Sequence, residues 1–191
     1  NKLIDKLDYI GVWTVARAFN STIGEAEDII QNYLNRRKIV KAAFIDLSHS
    51  NNITSLGSVK EISGHLISHR SGLDDFSNLL WVGGDINISY SNLTTLGELE
   101  FCGGSLSCSH MPLNNLGNLE IIDGDVSLSN LKLEDLGSLR KIYGSFALSN
   151  CSHIKSLDEL EFVGNDLTLI DTNVKELGEL VTVGGSLNIR G

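Results

Sequence analysis

The stretch from Leu80 to Ser109, LWVGGDINISYSNLTTLGELEFCGGSLSCS, contains the same pattern twice. VGGDINIS, from Val82 to Ser89, is followed twenty residues later by CGGSLSCS, from Cys102 to Ser109. In both copies a glycine pair precedes a segment in which apolar and polar residues alternate. Such alternation is typical of a short β-strand with one buried face. The stretch therefore predicts a repeated structural unit that contains a strand.

Two positions of this unit recur along the chain at the same interval. The glycine before the strand recurs at Gly64, Gly84, Gly104, Gly124 and Gly144, and Asn165 and Gly185 continue the series. A leucine that is usually followed by glycine recurs at Leu56, Leu96, Leu116, Leu136, Leu157 and Leu177, with Phe76 in place of one leucine. Both series step by twenty residues and share one step of twenty-one, near Cys151. Two series with the same slip indicate a true structural repeat.

Residues 42–191 are therefore predicted to form a β-solenoid of about seven coils of twenty residues. A unit of this length is too short for a helix in every coil, and one coil alone cannot bury its leucines. Stacked coils bury a continuous apolar ladder and pair their strand edges with their neighbours. One predicted inward column contains Ile45, Leu66, Ile86, Leu106, Val126, Phe146, Leu167 and Leu187. The other contains Ile62, Val82, Cys102, Ile122, Ile142, Val163 and Val183.

Two of the units carry a resemblance to a known family. LTTLGELEFCGGSLSCS (residues 93–109) and LEDLGSLRKIYGSFALS (residues 133–149) resemble the short units of bacterial and viral leucine-rich-like proteins, and they are similar to coils of the receptor L domain. The resemblance covers about residues 43–191 and implies a solenoid. Because the units lack the helical half of long leucine-rich repeats, we expect a straight rod rather than a curved horseshoe.

Residues 1–41 have a helical pattern instead. One face of the predicted helix is apolar and contains Ala26, Ile29, Ile30, Tyr33 and Leu34. Thr22 and Glu25 have the spacing of a capping box at the start of this helix. Since a solenoid end exposes apolar side chains and unpaired strand edges, we expect this segment to cap the first coil. The predicted fold class is thus α+β, a small helical cap followed by a β-solenoid.

The same N-terminal segment resembles a helix-turn-helix. Residues 15–19 would form the first helix, residues 20–22 the turn, and Ile23 would begin the second helix. The resemblance implies a transcriptional regulator whose solenoid senses or dimerises. The reading positions would include Gly24, Glu25, Glu27 and Asp28. Carboxylates at these positions would face phosphates, whereas DNA readers need basic or amide side chains. DNA reading is therefore the alternative to a cap or a protein-docking segment.

Composition narrows the class of protein. Residues 1–41 contain seven basic and five acidic residues, and residues 42–191 contain eight and nineteen, which gives the formal net charge of −9. This balance argues against nucleic acid or an acidic membrane as a partner. No stretch is long and apolar enough to span a membrane. Three cysteines cannot all pair, so a reducing, cytoplasmic setting is expected.

No constellation of catalytic residues is recognisable. The sequence contains no phosphate-binding loop and no zinc-ligand spacing, and it offers no nucleophile together with a base and an acid. No enzyme activity, metal or cofactor is therefore expected. Three histidines in different coils are interpreted as solvated polar residues: His49, His69 and His110. Three aspartates beside turn glycines are expected to cap local backbone N–H groups rather than to bind calcium: Asp85, Asp125 and Asp166. Cys151, at the one-residue insertion, is a candidate for an exposed thiol.

One outward column carries the functional prediction. The residue before each member of the second inward column should point outward, because side chains alternate along a strand. These residues are Glu61, Trp81, Phe101, Ile121, Lys141, Phe162 and Thr182. Trp81, Phe101 and Ile121 would form an apolar stripe. An exposed stripe of this kind marks a partner surface. The alternative is that the segment is twisted and these side chains belong to the core. The surrounding glutamates are Glu98, Glu100, Glu120, Glu159, Glu161 and Glu179.

These features predict a non-enzymatic protein–protein interaction module with a basic protein partner. The candidate binding residues are Trp81, Phe101, Ile121, Glu98, Glu100, Glu120 and Phe162. Besides the helix-turn-helix regulator, a second alternative is an acidic viral or phage inhibitor of a host nucleic-acid-binding protein. Because Gly191 follows a strand without a polar cap, a homodimer through the open C-terminal coil is a further hypothesis.

Overall fold

The structure, a computed structural model, describes residues 9–11, 15–17, 21–36 and 41–191. Its long helix is α1 (Ile23–Arg36), and residues 15–17 are also helical. The strands are β1 (Tyr9–Gly11), β2 (Lys41–Ala42), β3 (Phe44–Asp46), β4 (Glu61–Ile62), β5 (Leu66–Ile67), β6 (Trp81–Val82), β7 (Ile86–Asn87), β8 (Phe101–Cys102), β9 (Leu106–Ser109), β10 (Ile121–Ile122), β11 (Val126–Ser129), β12 (Lys141–Ile142), β13 (Phe146–Ser149), β14 (Phe162–Val163), β15 (Leu167–Ile170), β16 (Thr182–Val183) and β17 (Leu187–Arg190).

Successive coils stack as parallel neighbours in two sheets. Sheet A contains the nine odd-numbered strands and sheet B the eight even-numbered strands, each in sequence order. Partner residues are equivalent positions of neighbouring coils, as in the pairs Ile86 with Leu106 and Val126 with Phe146. The predicted β-solenoid is confirmed, with eight two-stranded coils rather than about seven. The additional coil is the first, β2 with β3, which has no glycine between its strands and therefore did not join the glycine series.

Both predicted inward columns form the core of the solenoid. The sheet A column is buried from the first coil to the seventh, Ile45 to Leu167, and the sheet B column from the second to the seventh, Ile62 to Val163. Each buried aliphatic side chain contributes about 2 kcal/mol to folding. In the eighth coil of this chain, Leu187 is 49% exposed and Ile189 is 58% exposed. The homodimer contact that was predicted at this coil would use these side chains, and it stays a prediction.

The turns before β4, β8, β10 and β12 are held by a local side-chain hydrogen bond that recurs from coil to coil. Its acceptors are the side-chain oxygens of Ser55, Thr95, Asn115 and Asp135, and each accepts from the N–H of the glycine two residues later at 2.8–3.2 Å. These glycines have φ between 59° and 63°, a conformation that side chains with a Cβ rarely adopt. The turn geometry therefore explains why leucine is usually followed by glycine.

Helix α1 begins with the predicted capping box. The Thr22 N–H donates to Glu25 Oε2 at 2.8 Å, and the Glu25 N–H donates to Thr22 Oγ1 at 3.3 Å. Ala26, Ile30 and Leu34 are buried, and they belong to the same hydrophobic core as the first coils. The helical period predicted from the sequence is thus confirmed for this helix.

Polar contacts also join α1 to the first two coils. Gln31 Oε1 accepts from the Thr54 N–H at 2.9 Å, and Gln31 Nε2 donates to the Ser55 carbonyl at 3.2 Å. Glu27 is buried, and its Oε2 accepts from Asn52 Nδ2 at 2.7 Å. One of the predicted DNA-reading positions therefore faces the solenoid. Residues 18–20, which belong to the predicted helix-turn-helix, lie outside the described residues.

Candidate protein-binding surface

The predicted outward column exists and runs along sheet B. Its members, which we call the outward column, are Glu61, Trp81, Phe101, Ile121, Lys141, Phe162 and Thr182. Each is the first residue of its strand, and in six of the seven strands the second residue is fully buried. Strand register therefore makes each member a direct neighbour of its equivalent in the next coil.

The Trp81 and Phe101 rings form the aromatic end of this column. They stack with their centroids 5.9 Å apart and their planes 9° from parallel. The Trp81 ring lies over Gly83, where an added Cβ would be 2.5 Å from Trp81 Cη2, and a Cβ at Gly103 would be 3.1 Å from Phe101 Cε1. Without side chains at these two glycines, both rings can lie against the coil. The glycines thus shape the surface as well as the bends.

The apolar stripe is less exposed than the sequence predicted. Trp81 is 37% exposed, whereas Phe101, Ile121 and Phe162 are half-buried. Stacking on Trp81 and the lean of the ring over Gly103 account for the partial burial of Phe101. The stripe is therefore a shallow surface with fixed ring positions, and ring positions that are fixed in advance lower the entropic cost of binding.

A second aromatic pair lies at the other end of the column, and the sequence analysis named its Phe162 but missed Tyr143. The ring of Tyr143, which is 50% exposed, lies 5.6 Å from the Phe162 ring, centroid to centroid. With Lys141, Glu161 and Val181 they line an open pocket of about 370 Å³. Tyr143 occupies the position that Gly83 and Gly103 occupy in earlier coils. A tyrosine in place of this repeated glycine was the sequence signal that could have identified the pair.

Charge is distributed unevenly along the glutamate side of the column. Arg140 binds Glu161 Oε1 through Nη1 and Glu159 Oε2 through Nη2, each at 3.0 Å. Beside Trp81, Phe101 and Ile121 the exposed carboxylates are Glu98, Glu100 and Glu120. Among the described residues, no Lys or Arg side chain forms an ion pair with these three. The acidic rim is therefore compensated near Phe162 and uncompensated near Phe101.

The opposite side of the same stripe is acidic as well. Asp123 and Asp125 follow strand β10 and are exposed, and Asp85 follows strand β6 in the same way. Asp85 Oδ1 accepts from the Ser105 N–H at 2.8 Å, and Asp125 Oδ1 accepts from the Ser145 N–H at 2.7 Å. The capping role expected for these aspartates was right in kind, but the capped N–H groups belong to the next coil. Asp166 does the same for Ser186 at 2.7 Å.

The cysteines are buried in the solenoid, and the expectation of an exposed thiol at Cys151 was wrong. Cys102, Cys108 and Cys151 are free thiols without solvent exposure. Burial raises the pKa of the Cys102 thiol to about 11, and it also raises the pKa of the Cys108 and Cys151 thiols. Since the thiolate is the reactive form, these three side chains are poor nucleophiles.

The histidines predicted as separate polar residues belong to a continuous row of rings. The His69 ring lies 6.0 Å from His49 and 5.4 Å from Tyr90, and Tyr90 stacks on His110 at 4.7 Å. Partial burial, with Arg70 and His49 nearby, lowers the pKa of His69. Within the described part of the chain, no three His, Cys, Asp or Glu side chains are arranged to hold a metal ion.

Comparisons of the chain with protein-family models, with curated proteins and with solved structures found no match. Within the described residues, no helix combines the length and apolar character needed to cross a membrane. The functional interpretation therefore depends on the geometry of the surface itself.

Proposed function

We propose that the protein is a non-enzymatic protein-binding module and that its outward column is the contact surface. The observation that carries this proposal is the stacked pair of Trp81 and Phe101, continuous with Ile121, on a face where Trp81 is exposed. Aromatic side chains are enriched among residues that dominate binding energy. A contiguous exposed apolar patch on a soluble domain marks an interaction site more often than chance.

The described part of α1 favours protein binding over DNA reading. Glu27 contacts Asn52 of the solenoid, and the exposed positions of the first turns include Glu25 and Asp28. Carboxylates repel the phosphates of DNA. We therefore propose that α1 caps the first coils, which its buried Ala26 and Leu34 support.

A second part of this proposal concerns the type of repeat to which the coils belong. Three buried apolar positions recur before each sheet B strand from β4 to β14, and in the coil of β8 all three are leucine: Leu93, Leu96 and Leu99. We propose on this basis that the coils are of a short leucine-rich type. The three buried free thiols support a reducing, cytoplasmic setting.

The test is an unbiased selection of binding peptides from a random library on the whole chain. We expect enriched peptides whose affinity falls about tenfold or more for Trp81→Ala, because removing a hot-spot side chain costs more than 1 kcal/mol. Tyr90→Ala is the matched control, since Tyr90 is an exposed aromatic residue on a different face. Circular dichroism and thermal melting verify that both variants fold.

The proposal fails if the enriched peptides bind the Trp81→Ala and Tyr90→Ala variants equally well. It also fails if every enriched peptide loses affinity with Tyr90→Ala rather than with Trp81→Ala, because the contact surface would then be the row of rings that contains Tyr90, His69 and His110.

A further inference from the structure

We infer that the partner segment is a basic amphipathic α-helix that lies along the outward column, with its apolar face on Trp81, Phe101 and Ile121. This inference rests on the proposed function and names the chemistry of the partner. Its support comes from the backbone pairing of sheet B, from the dimensions of the column, and from carboxylates on both sides of it that form no ion pair with a described Lys or Arg.

Backbone pairing decides the conformation of the partner. Strand β8, which carries Phe101, is paired with β6 on one side and β10 on the other. Each strand of the column from β4 to β14 is likewise flanked by two neighbours. A partner strand would find no unpaired edge on this face, so β-augmentation is excluded there. A helix satisfies its own backbone groups and needs only side-chain contacts.

The dimensions of the column fit a short helix. Two coil steps separate Trp81 from Ile121, which corresponds to about 10 Å at the spacing of neighbouring strands. Two helical turns, about seven residues, have this length. The apolar stripe is one side chain wide, because the Trp81 ring leans over Gly83 and the Phe101 ring leans toward Gly103. Such a stripe matches the apolar face of an amphipathic helix.

Carboxylates define the charge of the partner. Glu98, Glu100 and Glu120 lie on one side of the stripe. Asp123 and Asp125 lie on the other side, and no described Lys or Arg forms an ion pair with either of them. A helix with Lys or Arg along both borders of its apolar face would place a cation next to each group of carboxylates. Complementary charge of this kind raises association rates and fixes orientation.

The probe is a peptide of about fourteen residues that contains only leucine and lysine in the order that gives a helical apolar face. Two control peptides have the same length. One has the same composition with leucine and lysine alternating as in a strand, and the other has glutamate in place of every lysine. Binding to the whole chain is measured by fluorescence anisotropy of labelled peptide at about 50 mM and 200 mM salt.

We expect the helical Leu/Lys peptide to bind at least about tenfold more tightly than either control peptide. Phe101→Ser should lower its affinity about tenfold or more. Glu100→Gln combined with Glu120→Gln should lower the affinity several-fold at low salt and reduce its salt dependence. The matched control is Asp74→Asn combined with Glu134→Gln, which removes two exposed carboxylates from another face and should leave affinity unchanged.

The inference is overturned if the alternating peptide binds as tightly as the helical one. Equal effects of the two carboxylate double variants would also overturn it, because the attraction would then depend on net charge alone. If selected library peptides lose affinity with Trp81→Ala while the helical Leu/Lys peptide does not bind, the proposed function stands and the helical partner is wrong. If substitutions in the outward column change the affinity of neither the selected library peptides nor the helical Leu/Lys peptide, both proposals fail.

Discussion

Single glycines illustrate how the same residue type meets two different demands in this chain. Gly97 and Gly117 both have φ near 60°. A Cβ added at Gly97 would meet no heavy atom within 4 Å, whereas one added at Gly117 would lie 2.8 Å from Gly97 N and closer still to Gly97 O. The first glycine is thus required by its turn alone, and the second by its turn and by the coil against which it stacks.

Alanine substitutions at Gly97 and Gly117 separate the effect of the turn conformation from the effect of coil stacking. Gly97→Ala should lower the free energy of unfolding by about 1–2 kcal/mol, the cost of a left-handed conformation for a residue with a Cβ. Gly117→Ala should cost at least about 1 kcal/mol more, because the methyl group also overlaps backbone. Chemical denaturation measures both. Equal losses would show that the coils can shift apart freely, which would contradict close stacking.

At the scale of elements, Gln31 connects α1 to the backbone of the second coil. Gln31→Ala removes the acceptor of the Thr54 N–H and the donor to the Ser55 carbonyl. Loss of such a contact should lower stability by about 1–2 kcal/mol and speed hydrogen exchange at the Thr54 amide. The matched control is Asn32→Ala, since Asn32 Nδ2 donates to the Asp28 carbonyl of the same helix rather than to the solenoid among the described residues. Equal effects of both substitutions would contradict a capping role for α1.

The elements also show what the sequence could and could not predict. Period alone identified the β-strands and both inward columns, because a stacked coil must repeat apolar residues at equivalent positions, as at Ile86 and Leu106. The first coil was not counted, although its Ile45 was placed in an inward column, because it has no glycine between its strands. Cys151 was misplaced because it was assigned to the one-residue insertion. Its side chain instead takes the buried position of Met111 and Leu131 in the two preceding coils, and the extra residue comes after it.

For the candidate surface, the sequence predicted the column and the glutamates around it but not which of these glutamates form ion pairs. The outward position of Trp81 follows from alternation, whereas the pairing of Arg140 with Glu159 and Glu161 depends on how long side chains cross between coils. Side-chain paths of this kind have no sequence signal. The partial burial of Phe101 likewise depends on the direction in which a ring leans, which alternation does not specify.

At the scale of the whole molecule, stability should be a sum of coils and of contacts between adjacent coils. Deleting His110 to Ser129 removes one coil and joins Ser109 to Asn130, and Ser109 is the register equivalent of Ser129. Leu106 would then pair with Phe146 in place of Val126, so the apolar ladder remains continuous. We expect this shortened chain to fold cooperatively with a lower Tm, measured by circular dichroism.

Deleting only His110 to Leu119 is the control, because it removes a turn and half a coil and leaves strand β10 unable to reach its place beside β8. This chain should lose far more stability than the in-register deletion, although it lacks fewer residues. Removal of a complete unit loses the packing of one coil and of one contact between coils. Removal of half a unit instead puts all later coils out of register with the coils before the deletion. If the shorter deletion were the milder one, the coils would not be the units of stability.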